Sequence, residues 1–196
     1  TTSFPFYLSN GLSHYLDLTG PSLTVDTACS SSLTALHLAC QSLRSGECQQ
    51  AIVGSVNLIL NPLTFLGLDE MSVLSKQHQA RPFDAAADGY IRSEAVLSMV
   101  LKPYKQALKD GDPIHGLILG SGISHGGKAA SLSAPKKSEQ ARLLNQVWAS
   151  AAIDPSELDY TEAHGSSTLL GDSIETQALK EAFSGRARRC AISSIK

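Results

Sequence analysis

The chain has 196 residues, 42% of them hydrophobic and 17% charged, with a formal net charge of −2. That is long and apolar enough for a sizeable core and unlike a disordered segment, and the charge balance supplies no basic surface for nucleic acid. No apolar run reaches membrane-spanning length, and the four cysteines (Cys29, Cys40, Cys48 and Cys190) include no CxxC pair of the kind that holds zinc.

In chain order, Leu12, Tyr15 and Leu16 predict a helix within Thr1–Leu18, capped at Ser9 or Asn10 and ended by Gly20-Pro21. Leu23 and Val25 alternate with Thr24 and Asp26, the pattern of a strand end. Leu33, Leu36, Ala39, Cys40 and Leu43 then recur at helical spacing up to Gly46, a C-terminal stop. A buried strand is expected over Ala51–Leu60, closed by Asn61-Pro62, and a short helix over Leu63–Leu74. Ser75–Tyr90 is polar and turn-rich and reads as a long ordered loop. A strand over Glu94–Leu101, a short helix over Tyr104–Lys109 and a turn at Asp110-Gly111-Asp112-Pro113 follow. Next come a strand over Ile114–Ile123, a loop from His125-Gly126-Gly127 to Pro135 and a helix over Ser138–Ala151. The turn at Asp154-Pro155 leads to a short strand towards Glu162. A helix over Gly171–Phe183 and a strand over Cys190–Ser194 complete the series. Strands alternating with helices predict an α/β fold.

Cys29 falls at the turn between the predicted strand and the helix ending at Gly46. Unpaired backbone N–H groups and the helix macrodipole favour negative charge at such a place, and the thiolate is the nucleophilic form of cysteine. The small neighbours Ala28, Ser30, Ser31 and Ser32 leave room for a bulky substrate. The alternative is a small buried cysteine followed by three capping serines. His164 forms a second chemical centre, in a loop beside Gly165 and the hydroxyls of Ser166, Ser167 and Thr168. Its imidazole could donate a hydrogen bond to a thioester carbonyl and stabilise an enolate. Ser166 and Thr168 could bind a polar substrate arm, cap the next helix, or do both.

Four motifs stand in order: Asp26-Thr27-Ala28-Cys29-Ser30-Ser31-Ser32; Arg81-Pro82-Phe83-Asp84 with Asp88-Gly89-Tyr90; Glu162-Ala163-His164-Gly165 with Gly171-Asp172 and Glu175; and the final Ser194-Ile195-Lys196. Together they resemble the β-ketoacyl synthase (ketosynthase) domain of polyketide synthases, over essentially the whole chain. The resemblance implies an α/β, thiolase-like fold layered α-β-α-β-α, here an incomplete fragment. It implies an N-terminal half over residues 1–107 and a C-terminal half over 108–196, normally in a homodimer.

The implied activity is decarboxylative condensation of an acyl chain held on Cys29 with a malonyl-type extender on an acyl carrier protein. In that scheme Cys29, His164 and Lys196 are the catalytic residues. Ser166, Thr168 and Glu175 bind the pantetheine arm or support the site, with Glu175 matching the acidic residue that the family associates with its lysine. No metal or directly bound cofactor is implied; 4'-phosphopantetheine arrives on the carrier. The implied partners are the carrier, acyl and malonyl-type thioesters, and neighbouring acyltransferase or reductive domains, with no nucleic acid or membrane. The setting expected from reduced cysteines and the absence of a signal peptide is cytoplasmic.

The alternatives are a fatty-acid ketosynthase, a thiolase, and a non-elongating module that only holds an acyl chain. Ser166-Ser167-Thr168 departs from the family's usual Thr-Gly-Thr, and Ser93-Glu94-Ala95 from Gly-Glu-Gly. The chain lacks an initiator Met and stops just after a predicted strand, so a piece of a longer protein is expected. Its 196 residues are not expected to catalyse condensation by themselves, because the family's second histidine would follow Lys196.

Overall fold

The computed structural model describes residues 4–129, 131, 134–185 and 188–196. The first three residues of the Thr1–Leu18 segment, ahead of its predicted helix, and part of the predicted 125–135 loop lie outside them. The chain divides into two compact units. The first comprises Thr1–Asn57 with Ala95–Ser121, and the second Leu58–Glu94 with Gly122–Lys196.

In the first unit, helix α1 spans Phe6–Tyr15 and begins at Pro5, whose fixed φ suits a helix start. Ser9 and Asn10 therefore lie inside α1 rather than capping it. Residues 21–27 form no strand ladder among the described residues, which corrects the predicted strand end. Side-chain bonds tie this segment to α1 instead. Thr24 Oγ1 donates to the Pro5 carbonyl at 2.9 Å, and Ser13 Oγ donates to Ser22 Oγ at 2.9 Å. A 3₁₀ turn at Ala28–Ser30 leads into α2, Ser31–Ser45, which ends as predicted at Gly46 with φ 78°. Only glycine reaches that left-handed cap without a Cβ penalty.

Strand β1, Ala51–Asn57, pairs antiparallel with β2, Ala95–Leu101, from Ala51 opposite Leu101 to Asn57 opposite Ala95. Helix α2 packs on β1. The expectation of a buried strand holds only at Val53; Ile52 and Val56 stay exposed. Helix α4, Tyr104–Asp110, is closed by Gly111. Residues 114–121 carry the apolar pattern of a strand but form no ladder among the described residues, nor do 122 and 123 in the second unit. Periodicity reports which face is apolar, whereas a strand also needs a neighbour for its N–H and C=O groups.

The second unit begins with α3, Leu63–Glu70, and a long loop that closes with a bridge between Leu74 and Tyr90. Its core lies between α5, Lys137–Ser150, and α6, Leu169–Ala182. There Ala141, Trp148, Ala178 and Ala182 are buried, with Leu144, Ile153, Leu158 and Phe183 packed around them. The Trp148 and Phe183 rings lie 5.0 Å apart at 50°, a favourable tilted pair. Strand β3, Tyr160–Glu162, runs parallel to β4, Ala191–Ser193, and α6 forms the crossover between them. Parallel strands require such a crossover, and functional residues in this arrangement gather beyond the carboxyl ends of the strands. His164 follows β3, and Lys196 follows β4.

Candidate active site

Cys29 sits in the middle of the 3₁₀ turn before α2 and is exposed. The turn is strained, since Ala28 has φ 54°, a left-handed value that costs a residue with a Cβ roughly 1–2 kcal/mol. Short polar side chains hold it. Asp26 Oδ1 accepts the Ala28 N–H at 3.0 Å, and Ser31 Oγ accepts the Thr27 N–H at 2.9 Å and donates to the Ala28 carbonyl at 2.7 Å. Ser30 Oγ donates to the Thr27 carbonyl at 2.9 Å. These serines therefore shape the loop carrying Cys29, and no side-chain bond caps α2 from Ser30. The thiol is presented beside the N-terminus of a 15-residue helix.

The second unit brings together the other five residues singled out from sequence. Lys196 Nζ lies 2.7 Å from His164 Nδ1. An ammonium can only donate, so this contact assigns Nδ1 as acceptor and leaves the ring proton on Nε2. Burial holds the His164 imidazole below the usual histidine range. The Lys196 ammonium pushes the same way, while the Glu175 and Asp172 carboxylates oppose it. The result is a neutral ring with an Nε2–H donor.

Glu175 acts through the backbone. Its carboxylate accepts the His164 N–H at 2.7 Å and the Gly165 N–H at 2.8 Å. Gly165 is required where it stands, with φ 42°, because a Cβ there would overlap the Ser194 side chain and lie 3.2 Å from Pro82 Cβ. Ser166 Oγ and Thr168 Oγ1 bond each other at 3.0 Å. Thr168 is the N-cap of α6 by position, but its side chain makes no capping bond. The capping alternative is thereby set aside, and both hydroxyls keep capacity for another partner.

Two supports for this loop went unassigned by sequence reasoning, although both belong to quoted motifs. Asp172, 5% exposed, accepts the Phe83 N–H at 2.7 Å through Oδ2, which ties Arg81-Pro82-Phe83-Asp84 to α6. The Gly89 N–H donates to the Ser167 carbonyl at 2.7 Å. Gly89 has φ 129°, and a Cβ would fall 2.5 Å from the Val73 carbonyl oxygen, so only glycine fits. The Asp88 carboxylate folds the same loop by accepting from Ser75 Oγ at 2.7 Å and from the Lys76 N–H at 3.2 Å. The polar loop is thus a brace for residues 165–172.

Asp172→Ala is expected to release the brace. A buried hydrogen bond to a charged group contributes about 1.5–3 kcal/mol. The Phe83 amide should therefore lose roughly tenfold or more of its hydrogen-exchange protection, while Asp172→Asn, which keeps the acceptor, should lose less. Unchanged protection in Asp172→Ala would show that the loop holds itself.

Among the described residues, no group of three or more His, Cys, Asp or Glu side chains is arranged to hold a metal ion. Among them too, no helix is long and apolar enough to cross a membrane.

Comparison with known proteins gives concordant findings. The family model described as "Beta-ketoacyl synthase, N-terminal domain" matches residues 1–107, and that described as "Beta-ketoacyl synthase, C-terminal domain" matches residues 115–196. The chain is 46% identical over 184 residues to polyketide synthase PksR of Bacillus subtilis, covering 94% of this chain and 7% of the relative. It is 49% identical over 181 residues to one component of the phenolphthiocerol/phthiocerol polyketide synthase of Mycobacterium tuberculosis, covering 92% of this chain and 10% of that protein. The chain thus spans a tenth or less of the length of these two relatives. Among solved structures, it is similar to an oxazolomycin ketosynthase domain of Streptomyces albus (TM-score 0.97, 38% identity, 100% of this chain and 36% of that one). It is also similar to the ketosynthase from module 6 of the bacillaene synthase of Bacillus subtilis (TM-score 0.96, 37% identity, 100% and 36%).

Proposed function

The chain belongs to the β-ketoacyl synthase family and has the ketosynthase fold, and from that premise we propose that it carries the nucleophile and one hydrogen-bond donor of a polyketide-type condensation. Cys29 Sγ attacks the thioester carbonyl of an acyl chain presented on a carrier protein. The bond from that carbonyl to the carrier sulfur breaks, and the carrier thiol leaves with a proton. A malonyl-type thioester then loses CO₂, and the electron pair of the broken carbon–carbon bond becomes an enolate. The enolate carbon attacks the acyl-Cys29 carbonyl, a new carbon–carbon bond forms, and the Cys29 thiolate departs. The product is a β-ketoacyl thioester two carbons longer in its backbone.

The observation that carries this reading is the Lys196–His164 contact. With Nδ1 occupied, Nε2–H is the donor, and a donor aimed at a thioester oxygen stabilises the enolate as charge develops on it. Ser166 and Thr168, not engaged in capping α6, suit the amide-bearing pantetheine arm of the substrate. Residues 1–107 and 108–196 are proposed as parts of the two halves of a ketosynthase domain. An acyl carrier protein, neighbouring synthase domains, a homodimeric assembly and a cytoplasmic setting complete the proposal.

The test is direct. The full-length protein, given acyl-loaded and malonyl-loaded carrier, should yield the two-carbon-longer β-ketoacyl thioester by mass spectrometry. An acyl adduct on Cys29 with no condensation product would overturn the elongating role.

Lys196→Met provides a second check. Loss of its charge lets the His164 imidazole rise towards the ordinary histidine range. The neutral ring is the active form, so activity falls as pH drops through the His164 pKa. A raised pKa shifts that acid limb to higher pH. The loss of a charge-assisted bond should also lower kcat roughly tenfold or more. An unmoved acid limb would remove Lys196 from the His164 environment.

A further inference from the structure

Glu162 is the last residue of β3 and pairs in register with Ser193 of β4. Paired residues of neighbouring strands share a face, and so do residues two apart in one strand. Tyr160, Glu162 and Ser193 accordingly meet. Ser193 Oγ donates to Glu162 Oε2 at 2.9 Å, and the Tyr160 hydroxyl donates to the same oxygen. The other oxygen, Oε1, reaches past the end of the ladder and accepts the Ile195 N–H at 2.7 Å. The last backbone bond between the strands is the Ala163 N–H to the Ser193 carbonyl, at 2.8 Å.

Beyond Ser193 the chain thus depends on side chains for its course. Glu162 holds Ile195 from one side. On the other, Ser194 Oγ lies 3.1 Å from the His164 carbonyl and 3.2 Å from that of Gly165, and it accepts the Lys196 N–H at 3.3 Å. A three-residue strand cannot by itself fix a lysine that lies beyond its end. A lysine side chain also has about 2 kcal/mol of rotamer freedom to lose when it is ordered. The ammonium reaches His164 Nδ1 at 2.7 Å because its backbone is already anchored.

We propose that Glu162 is a positioning residue that pins the chain after β4 through the Ile195 N–H, so that Lys196 meets His164 Nδ1 and sets the ring's tautomer. This rests on the functional reading above for its effect on rate, but not for its effect on the histidine. The Glu162 carboxylate bonds Tyr160, Ser193 and Ile195, so it acts on the imidazole through residues 195 and 196.

The experiment uses the full-length protein with Glu162→Ala and Glu162→Gln. Glu162→Ala should lower kcat for condensation about tenfold or more and leave KM for the extender thioester within about twofold. Glu162→Gln keeps an oxygen acceptor for Ile195 and should recover most of the rate. The exchange of the His164 Cε1 hydrogen for deuterium, followed against pH by peptide mass spectrometry, needs no substrate. Its midpoint should move up in Glu162→Ala and stay near the wild-type value in Glu162→Gln.

Wild-type kcat with an unmoved midpoint in Glu162→Ala would overturn the proposal, as would lost stability with an unmoved midpoint. Should Glu162→Ala fail to fold, Glu162→Asp keeps the charge but withdraws it from Ile195 by one methylene. The same loss of kcat and the same rise of the midpoint are expected, and wild-type behaviour would refute the role. If the unmodified protein forms no acyl-Cys29, the functional reading fails separately, and the exchange measurement still decides the Glu162 question.

Discussion

Cys29→Ala is expected to abolish acyl loading and, with it, condensation. Incubated with a synthetic acyl-pantetheine thioester, the unmodified full-length protein should gain the mass of one acyl group on the peptide containing Cys29. The alanine variant should gain none there. The variant loses only the sulfur, because the strained turn is held by Asp26, Thr27, Ser30 and Ser31 and not by the thiol. Removal of a nucleophile from a catalytic constellation costs roughly 10⁴-fold or more in turnover, since no other group can form the covalent intermediate. Cys48 and Cys190 are only partly exposed and Cys40 is buried, so none is an equivalent substitute. Cys190 Sγ lies 3.3 Å from Thr161 Oγ1, a local contact within the β3–β4 region. Undiminished acylation of Cys29→Ala, or an adduct found chiefly on another cysteine, would refute the assignment.

His164→Ala is expected to separate the two half-reactions. Acyl transfer to Cys29 should survive, because the turn and helix that present the thiol belong to the first unit. Condensation should fall by about 10²–10³-fold, the scale on which one preorganised oxyanion donor acts. Replacement removes the Nε2–H donor and leaves the Lys196 ammonium without its acceptor. The variant should therefore accumulate the acyl adduct and release little β-ketoacyl product, as read by mass spectrometry of protein and product together. Equal, severe loss of loading and condensation would assign His164 to activation of the thiol. Unimpaired condensation would exclude it from the reaction.

His164→Ala and Asp172→Ala differ in what they report about the fold. The His164 loop is braced by Glu175 on its own backbone, by Asp172 through Phe83, and by the Gly89–Ser167 bond. None of these involves the imidazole. Deleting the ring should leave hydrogen-exchange protection across 81–90 close to the wild-type level, in contrast to Asp172→Ala.

Much of this was legible in the residues alone. Gly46 marked the end of α2, Asn61-Pro62 the break before α3, and Asp110-Gly111 the end of α4, because each depends on the conformational freedom of one or two residues. The order of four motifs pointed to the family, and the run around Cys29 placed the thiol at a helix start. Local pattern misled where the answer depended on a partner. The segments 21–27 and 114–123 read as strands from their apolar residues, yet no described neighbour completes a ladder. The start of α1 was likewise set by Pro5 rather than by Ser9 or Asn10.

Only the tertiary structure decided how the histidine is equipped. The parallel pairing of β3 with β4 joins His164 to Lys196, 32 residues apart in sequence. The Asp172–Phe83 bond spans 89 residues. Glu175 was matched to the acidic residue that the family associates with its lysine, and only the fold shows that its carboxylate accepts the His164 and Gly165 N–H groups. Turn chemistry and helical period are properties of neighbours in sequence, so they can be read from residues one to four positions apart. Which distant carboxylate meets which N–H depends on the path of the chain between them, and that path is settled by burial and strand pairing across the whole unit.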